Sequence, residues 1–108
     1  MSYNVDTLDH FDKQLKRLAK KYPSLKSEYQ DLINLLEKTP EQGIPIGNSC
    51  YKIRLSIASK GKGKSGGGRV IYYVKISADL VVLLSIYDKS EKEDISDKEL
   101  VLLLAKIS

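Results

Sequence analysis

Two cations two residues apart, Lys52 and Arg54, precede a segment in which Lys60, Lys62 and Lys64 alternate with small residues. Gly66, Gly67 and Gly68 then lead to Arg69. In an extended chain residues two apart share a face, so Lys52 and Arg54 point the same way. Lysines spaced through a Gly/Ser segment make a flexible, strongly hydrated cationic cluster suited to a polyanion. An arginine at the start of a strand offers rigid bidentate contacts instead. Three successive glycines lose much conformational entropy on ordering and gain little packing, so their use is to bring backbone close to something. The chemistry this pattern supports is the gripping of phosphate, and we read the site as one for RNA. The same composition equally describes a solvated hairpin connection. The functional reading rests on convergence: Lys52 and Arg54 come from one strand, Arg69 and Tyr73 from the next and Tyr87 from a third. Taken singly, Tyr73 and Tyr87 are either sheet packing or stacking platforms for bases.

The elements that must position these residues follow from periodicity. Tyr3 to Val5 reads as a short strand, and Asp6 or Thr7 can cap a helix carrying Leu8, Phe11, Leu15, Leu18 and Tyr22 at helical spacing. Lys13, Lys16, Arg17, Lys20 and Lys21 line its other face, and His10, with no second histidine or nearby cysteine, reads as an ordinary exposed side chain. Pro23 ends this helix, Ser24 can cap a second with Leu25, Tyr29, Leu32, Ile33 and Leu36 as its stripe, and Thr39 and Pro40 stop it. Gly43, Pro45 and Gly47 mark a loop. Tyr51, Ile53, Leu55 and Ile57 then alternate with Lys52, Arg54 and Ser56. Val70, Tyr72, Val74 and Ile76 alternate with Arg69, Tyr73 and Lys75. Leu80 to Tyr87 is nearly continuous in apolar residues, as in a central strand, with Ser85 and Tyr87 sharing a parity. Ser96 and Glu99 form a capping box before Leu100, Val101, Leu103, Leu104 and Ile107. The expected fold is α+β: a small antiparallel sheet of three main strands plus a short N-terminal strand. A helical hairpin covers one face, the basic face stays open, and a C-terminal helix follows. Residues 58–65 match a relaxed nucleotide-binding P-loop, but that motif requires a helix to begin there, whereas a β-branched and aromatic run follows.

The 108 residues, 42% of them hydrophobic, suit one domain spanning 1–108 with a single core. The net charge of +4 is modest and unevenly spread. Between residues 41 and 75, Lys52, Arg54, Lys60, Lys62, Lys64, Arg69 and Lys75 face a single acid, Glu41. Beyond them Asp79, Asp88, Glu91, Glu93, Asp94, Asp97 and Glu99 outnumber the lysines. Cys50 is the sole cysteine, which excludes an internal disulfide and a multi-cysteine zinc site and fits a reducing compartment, with cytoplasm the default. No apolar run approaches the roughly 20 residues that span a bilayer, so neither secretion nor membrane insertion is expected.

The run CYKIRLSIASKGKGKSGGGRVIYY, followed by LLSIYDKSEKEDIS, resembles the RelE-type toxins of bacterial toxin–antitoxin modules, the HigB-like branch in particular, across nearly the whole chain. The resemblance implies a small metal-independent endoribonuclease, without cofactor, that cuts messenger RNA on the translating ribosome and is neutralised by a cognate antitoxin protein. It places Lys52 and Arg54 on the paired basic positions of the family's second strand and Arg69 on the arginine that starts the third. Where the family pattern has a further arginine and a C-terminal tyrosine this chain has Ser90 and Ile95, so Lys89 and Tyr87 are the nearest substitutes. Metal-free RNA cleavage needs the 2′-hydroxyl deprotonated, the phosphorane stabilised and the leaving 5′-oxygen protonated. Without a useful histidine, lysine and tyrosine must serve. Arg54 and Arg69 are the transition-state clamps, and Lys52, Lys89 and Tyr87 are unranked candidates for proton transfer. The alternatives are a non-catalytic inhibitor on the same scaffold, as ParE-type proteins are with DNA gyrase, and a module that only binds RNA.

Overall fold

A computed structural model describes residues 2–60 and 67–107, Lys60 through its backbone. The elements run β1 (Asn4–Thr7), α1 (Asp9–Lys21), α2 (Leu25–Lys38), β2 (Ile44–Gly47), β3 (Cys50–Leu55), a 3-10 turn (Ala58–Lys60), β4 (Gly68–Lys75), a second 3-10 turn (Ile76–Ala78), β5 (Leu80–Asp88) and α3 (Asp97–Leu104). They form one five-stranded sheet in the order β1-β5-β4-β3-β2, with β1 parallel to β5 and every other pair antiparallel. The α+β class, the helical hairpin and the central position of β4 and β5 agree with the periodicity. A strand rather than a helix begins at Gly68, which agrees with the rejection of the P-loop.

Three elements depart from the sequence expectations. The stretch around Pro45 is not a loop but the edge strand β2, where a residue without an N–H is tolerated because one side of the strand has no neighbour. Asn48 and Ser49, at φ 56° and 62°, make the two-residue turn into β3, the positive-φ geometry that suits the twist of paired strands. Second, β1 runs on through Asp6 and Thr7, so neither caps α1. Thr7 is in register with Leu83, and Leu8 N donates to Leu83 O at 3.1 Å, leaving Leu8 at the cap position without a side-chain cap bond. Ser24 does hold the cap position of α2, but its hydroxyl is directed to Glu28 and Ser59.

Third, the sheet has two cores, not one. On one face Phe11, Leu18, Tyr22, Leu25, Leu32 and Leu36 of the hairpin region pack on Leu55, Val70, Tyr72, Val81, Leu83 and Ile86. On the other, Leu100 and Leu103 of α3 bury Cys50, Ile71, Val82, Leu84 and Tyr87. The face expected to stay open is therefore covered over much of its area, because the nearly continuous apolar run of β5 has two apolar sides and each needs a layer. Val101 lies outside the stripe, exposed beside Leu102. A bulge sharpens the division: Ile71 opposes Ser85 but Tyr72 opposes Leu83, which leaves Leu84 extra. Ser85 is thereby turned away from Tyr87 and toward α1, correcting the parity expected for the pair. Gln14 Oε1 on α1 accepts from Ser85 Oγ at 3.1 Å and Ile86 N at 3.0 Å, satisfying groups at the irregularity.

Candidate active site

Antiparallel register assembles the central row. Arg54 of β3 is the Cα partner of Arg69 of β4, and Arg69 is the partner of Tyr87 of β5. Two pairs further along lies Lys52, opposite Ile71. Three of the cations singled out in the sequence thus gather toward one end of the β3–β4 pair, beside the α3 core that takes in Ile71 and Tyr87. Arg54 is exposed, Lys52 and Arg69 are half-buried, and Arg69 Nη1 donates to its neighbour Gly68 O at 3.1 Å, which fixes the base of its guanidinium. Such a row, with its donors carried by paired strands, can offer several hydrogen bonds to an anion.

Tyr87 shares the row but not the exposure. It is 4% exposed beneath the segment that joins β5 to α3, so it is not on an open face in this conformation. Its hydroxyl lies 3.4 Å from Asp94 Oδ1, and Lys92 Nζ lies 5.8 Å from its ring centroid. Burial, and then the Asp94 carboxylate, push the phenol up to about 12 against the opposing influence of Arg69. Asp94 also receives Lys52 Nζ at 3.2 Å and Ile95 N at 2.8 Å, and these contacts, the backbone bond foremost, hold its carboxyl below the usual range. The acidic C-terminal third therefore meets cations from earlier in the chain: Asp94 meets Lys52 of the basic stretch, and Glu91 meets Arg17 and Lys21 of α1. Asp94 and Lys92 were counted in the sequence only as charges of a tail. Their position just before a capping box, at the mouth of a short connection back to the sheet, was the available signal.

The remaining expectations divide. Lys89 is half-buried just past β5, and its N donates to Gly67 O at 3.1 Å, beside the start of β4. Tyr73 is corrected: its register partners are Cys50 and Val82, four residues along β4 from Arg69 or roughly 13 Å. It packs in the α3 core there, as sheet packing rather than as a platform beside the cations. Gly67 and Gly68 bring backbone close, as expected, but to this chain's own backbone. Gly67 has φ 74°, and a Cβ on it would lie 2.6 Å from Leu55 O. One on Gly68 would lie 3.0 Å from Tyr87 O. Lys62, Lys64, Gly66 and the side chain of Lys60 lie outside the described residues. Ser90 and Ile95, which stand where the resemblance puts an arginine and a tyrosine, have structural uses. Ser90 N and Oγ donate to Asp88 Oδ1, and Ile95 is part of the α3 core.

A small α+β domain with paired arginines across two antiparallel strands of a hairpin-backed sheet is the class these features define. The sequence model of the RelE toxin of the RelE/RelB toxin–antitoxin system matches residues 10–107, and the chain belongs to that family. Among solved structures it is similar to a doubly substituted variant of the E. coli toxin RelE in the free state, at 18% identity over 100% of both chains with a TM-score of 0.62. It is also similar to the intact E. coli RelBE toxin–antitoxin complex, at 21% identity over 79% of this chain and 94% of that one with a TM-score of 0.56. A third similarity is to the isolated E. coli RelE toxin, at 20% identity over 96% of this chain and 98% of that one, TM-score 0.58. At these identities the structural likeness establishes the fold. Among the described residues no helix is long and apolar enough to cross a membrane.

Proposed function

We propose that this toxin is a metal-independent endoribonuclease of the cytoplasm that cuts messenger RNA on the ribosome and is neutralised by a cognate antitoxin. The observation that carries the reading is the Arg54–Arg69 register pair, with Lys52 on the same strand as Arg54, near one end of the β3–β4 pair. In the reaction the 2′-oxygen attacks the adjacent phosphorus, its proton passes to a base, the bond to the 5′-oxygen breaks, and that oxygen takes a proton. Arg54, Arg69 and Lys52 stabilise the charge that builds on the non-bridging oxygens. Of the three candidates for proton transfer Lys89 is favoured, since Tyr87 is buried and Lys52 Nζ is engaged with Asp94. A site so sparsely equipped gains most from a substrate held in reactive geometry by another machine, which supports the ribosome requirement. The SKGKGKSGGGR and IYDKSEKED segments support the HigB-like branch within the family. The solved RelBE complex supports a protein antitoxin as partner. One reading from another class is favoured by the same burial of Tyr87: a module that binds RNA without cutting it. Incubating the purified protein with ribosomes programmed with mRNA and mapping new 5′ ends separates the two. New ends support the enzyme; retention of RNA without new ends supports the binder.

A further inference from the structure

Three donors converge on one carboxylate oxygen beside the cationic row. Asp94 Oδ1 accepts from Ile95 N at 2.8 Å, from Lys52 Nζ at 3.2 Å and, more loosely, from the Tyr87 hydroxyl at 3.4 Å. The segment that carries Asp94 is braced elsewhere: Glu91 pairs with Arg17 and Lys21 of α1, Lys92 pairs with Glu99, and the Ser96–Glu99 capping box fixes the entry to α3. Asp94 is thus delivered to Lys52 by a held backbone, not by a chance meeting of two long side chains. An ion pair this exposed contributes little to stability. Its negative charge also opposes phosphate binding, and the bond from Ile95 N, which holds the local fold, does not require Lys52, so the Lys52 contact is left to be explained by what it does to the ammonium.

We infer that Asp94 is a positioning residue that fixes the Lys52 ammonium beside Arg54 and Arg69, and that Tyr87 acts through Asp94 instead of on RNA. The inference rests on the reading of the row as a phosphate clamp. Burial of Tyr87 at 4% exposure supports it, because a phenol under the loop reaches the carboxylate and not a substrate. The charged groups around that phenol are Arg69 from β4, Asp94 and Lys92 from the connecting segment and Glu99 from α3. With its ionisation pushed up to about 12, the hydroxyl carries its proton at neutral pH and serves as a donor to Asp94.

Two measurements on the full chain test this. The first needs no RNA: the Asp94 carboxyl is titrated by carbon NMR in the parent and in Lys52→Met. Loss of the ammonium should move the titration upward, and an Asp94 that titrates at the same pH in both proteins overturns the pairing. The second is a double-mutant cycle on single-turnover cleavage of ribosome-bound mRNA. Asp94→Asn keeps an acceptor for Ile95 N, and so the local fold, but should slow cleavage about tenfold, with partial recovery in Asp94→Glu. In the Lys52→Met background the same change should cost nothing further, since its target is gone. Equal losses in both backgrounds would show that Asp94 acts on something else. A loss of about a hundredfold in Tyr87→Phe that persists without Asp94 would return Tyr87 to proton transfer. A parent that leaves mRNA intact fails the enzymatic reading and the catalytic half of the inference with it, while the NMR titration still decides the pairing.

Discussion

Asp88 is fully buried, and its carboxylate accepts from the Tyr22 hydroxyl at 2.6 Å and from Ser90 N and Oγ at 2.9 and 2.8 Å. A charge in the interior persists only with such partners, and removing a donor leaves part of its desolvation uncompensated. Tyr22→Phe should therefore cost about 1.5–3 kcal/mol. The loss would appear as a lower urea midpoint at unchanged slope, and an unchanged midpoint would show that the remaining partners of Asp88 suffice. Tyr87 makes a prediction of opposite character. Its folded-state value is raised from 10.0 to about 12, so its contribution to stability is complete below the ordinary value and is lost as pH rises through the folded one. The stability difference between the parent and Tyr87→Phe should accordingly shrink from pH 10 to about 12. A difference constant across that window would contradict the buried environment. Lys62 lies outside the described residues, and as one lysine among several its expected part is to add phosphate affinity. Lys62→Ala should weaken RNA binding and leave saturated single-turnover cleavage nearly unchanged.

At the scale of elements, the start of β4 is set by backbone contact more than by ligand. Gly67 occupies the left-handed region with Leu55 O where a Cβ would stand. Gly67→Ala should thus cost the roughly 1–2 kcal/mol of a left-handed residue with a side chain, and more for the displaced strand. A drop in melting temperature of about 5 °C or more is expected, and an unchanged one would mean that the turn before β4 relaxes freely. The entry to the same segment is held from the other side, where Ala58 N donates to Glu28 Oε2 at 2.7 Å and Ser59 N to Ser24 Oγ at 2.9 Å. How far such elements can be read from residues depends on whether a local rule decides them. The alternation from Tyr51 to Ile57 was legible because one face is core and the other is not, and the Ser96 capping box was legible because its bonds are local. Edge strand β2 was hidden because Pro45 and Gly47 carry loop signals whose exception, an unpaired strand edge, is a tertiary fact. The bulge at Leu84 was hidden because the partner that Ser85 meets there, Gln14, lies some seventy residues earlier in the chain. Arg54 and Arg69 come into register, as the expected pairing of the two strands required, with Lys52 two residues along β3. Tyr73 does not join them, since a shared face says nothing of distance along it.

For the molecule as a whole, charge separated along the sequence is partly recombined in space, and this limits how freely the cationic row attracts polyanions. Glu91 pairs with Arg17 and Asp94 with Lys52, while Arg54 and Arg69 stand in register near one end of the β3–β4 pair. A neutralising antitoxin should offer acidic groups to that end or reshape it, and its affinity should fall as salt rises. Calorimetric titration of the complex at low and high ionic strength, with equal affinity at both, would remove the electrostatic part of the account. Arg54 and Arg69 belong to neither core, so either can be altered without opening one. That makes one measurement decisive: single-turnover cleavage of ribosome-bound mRNA by Arg69→Ala, with folding checked by circular dichroism and urea titration. If Arg69 clamps the phosphorane, the variant should fold like the parent and cleave about a hundredfold more slowly, a loss of roughly 3 kcal/mol in transition-state stabilisation. Cleavage at the parental rate by the folded variant would contradict the assignment of this row as the active site.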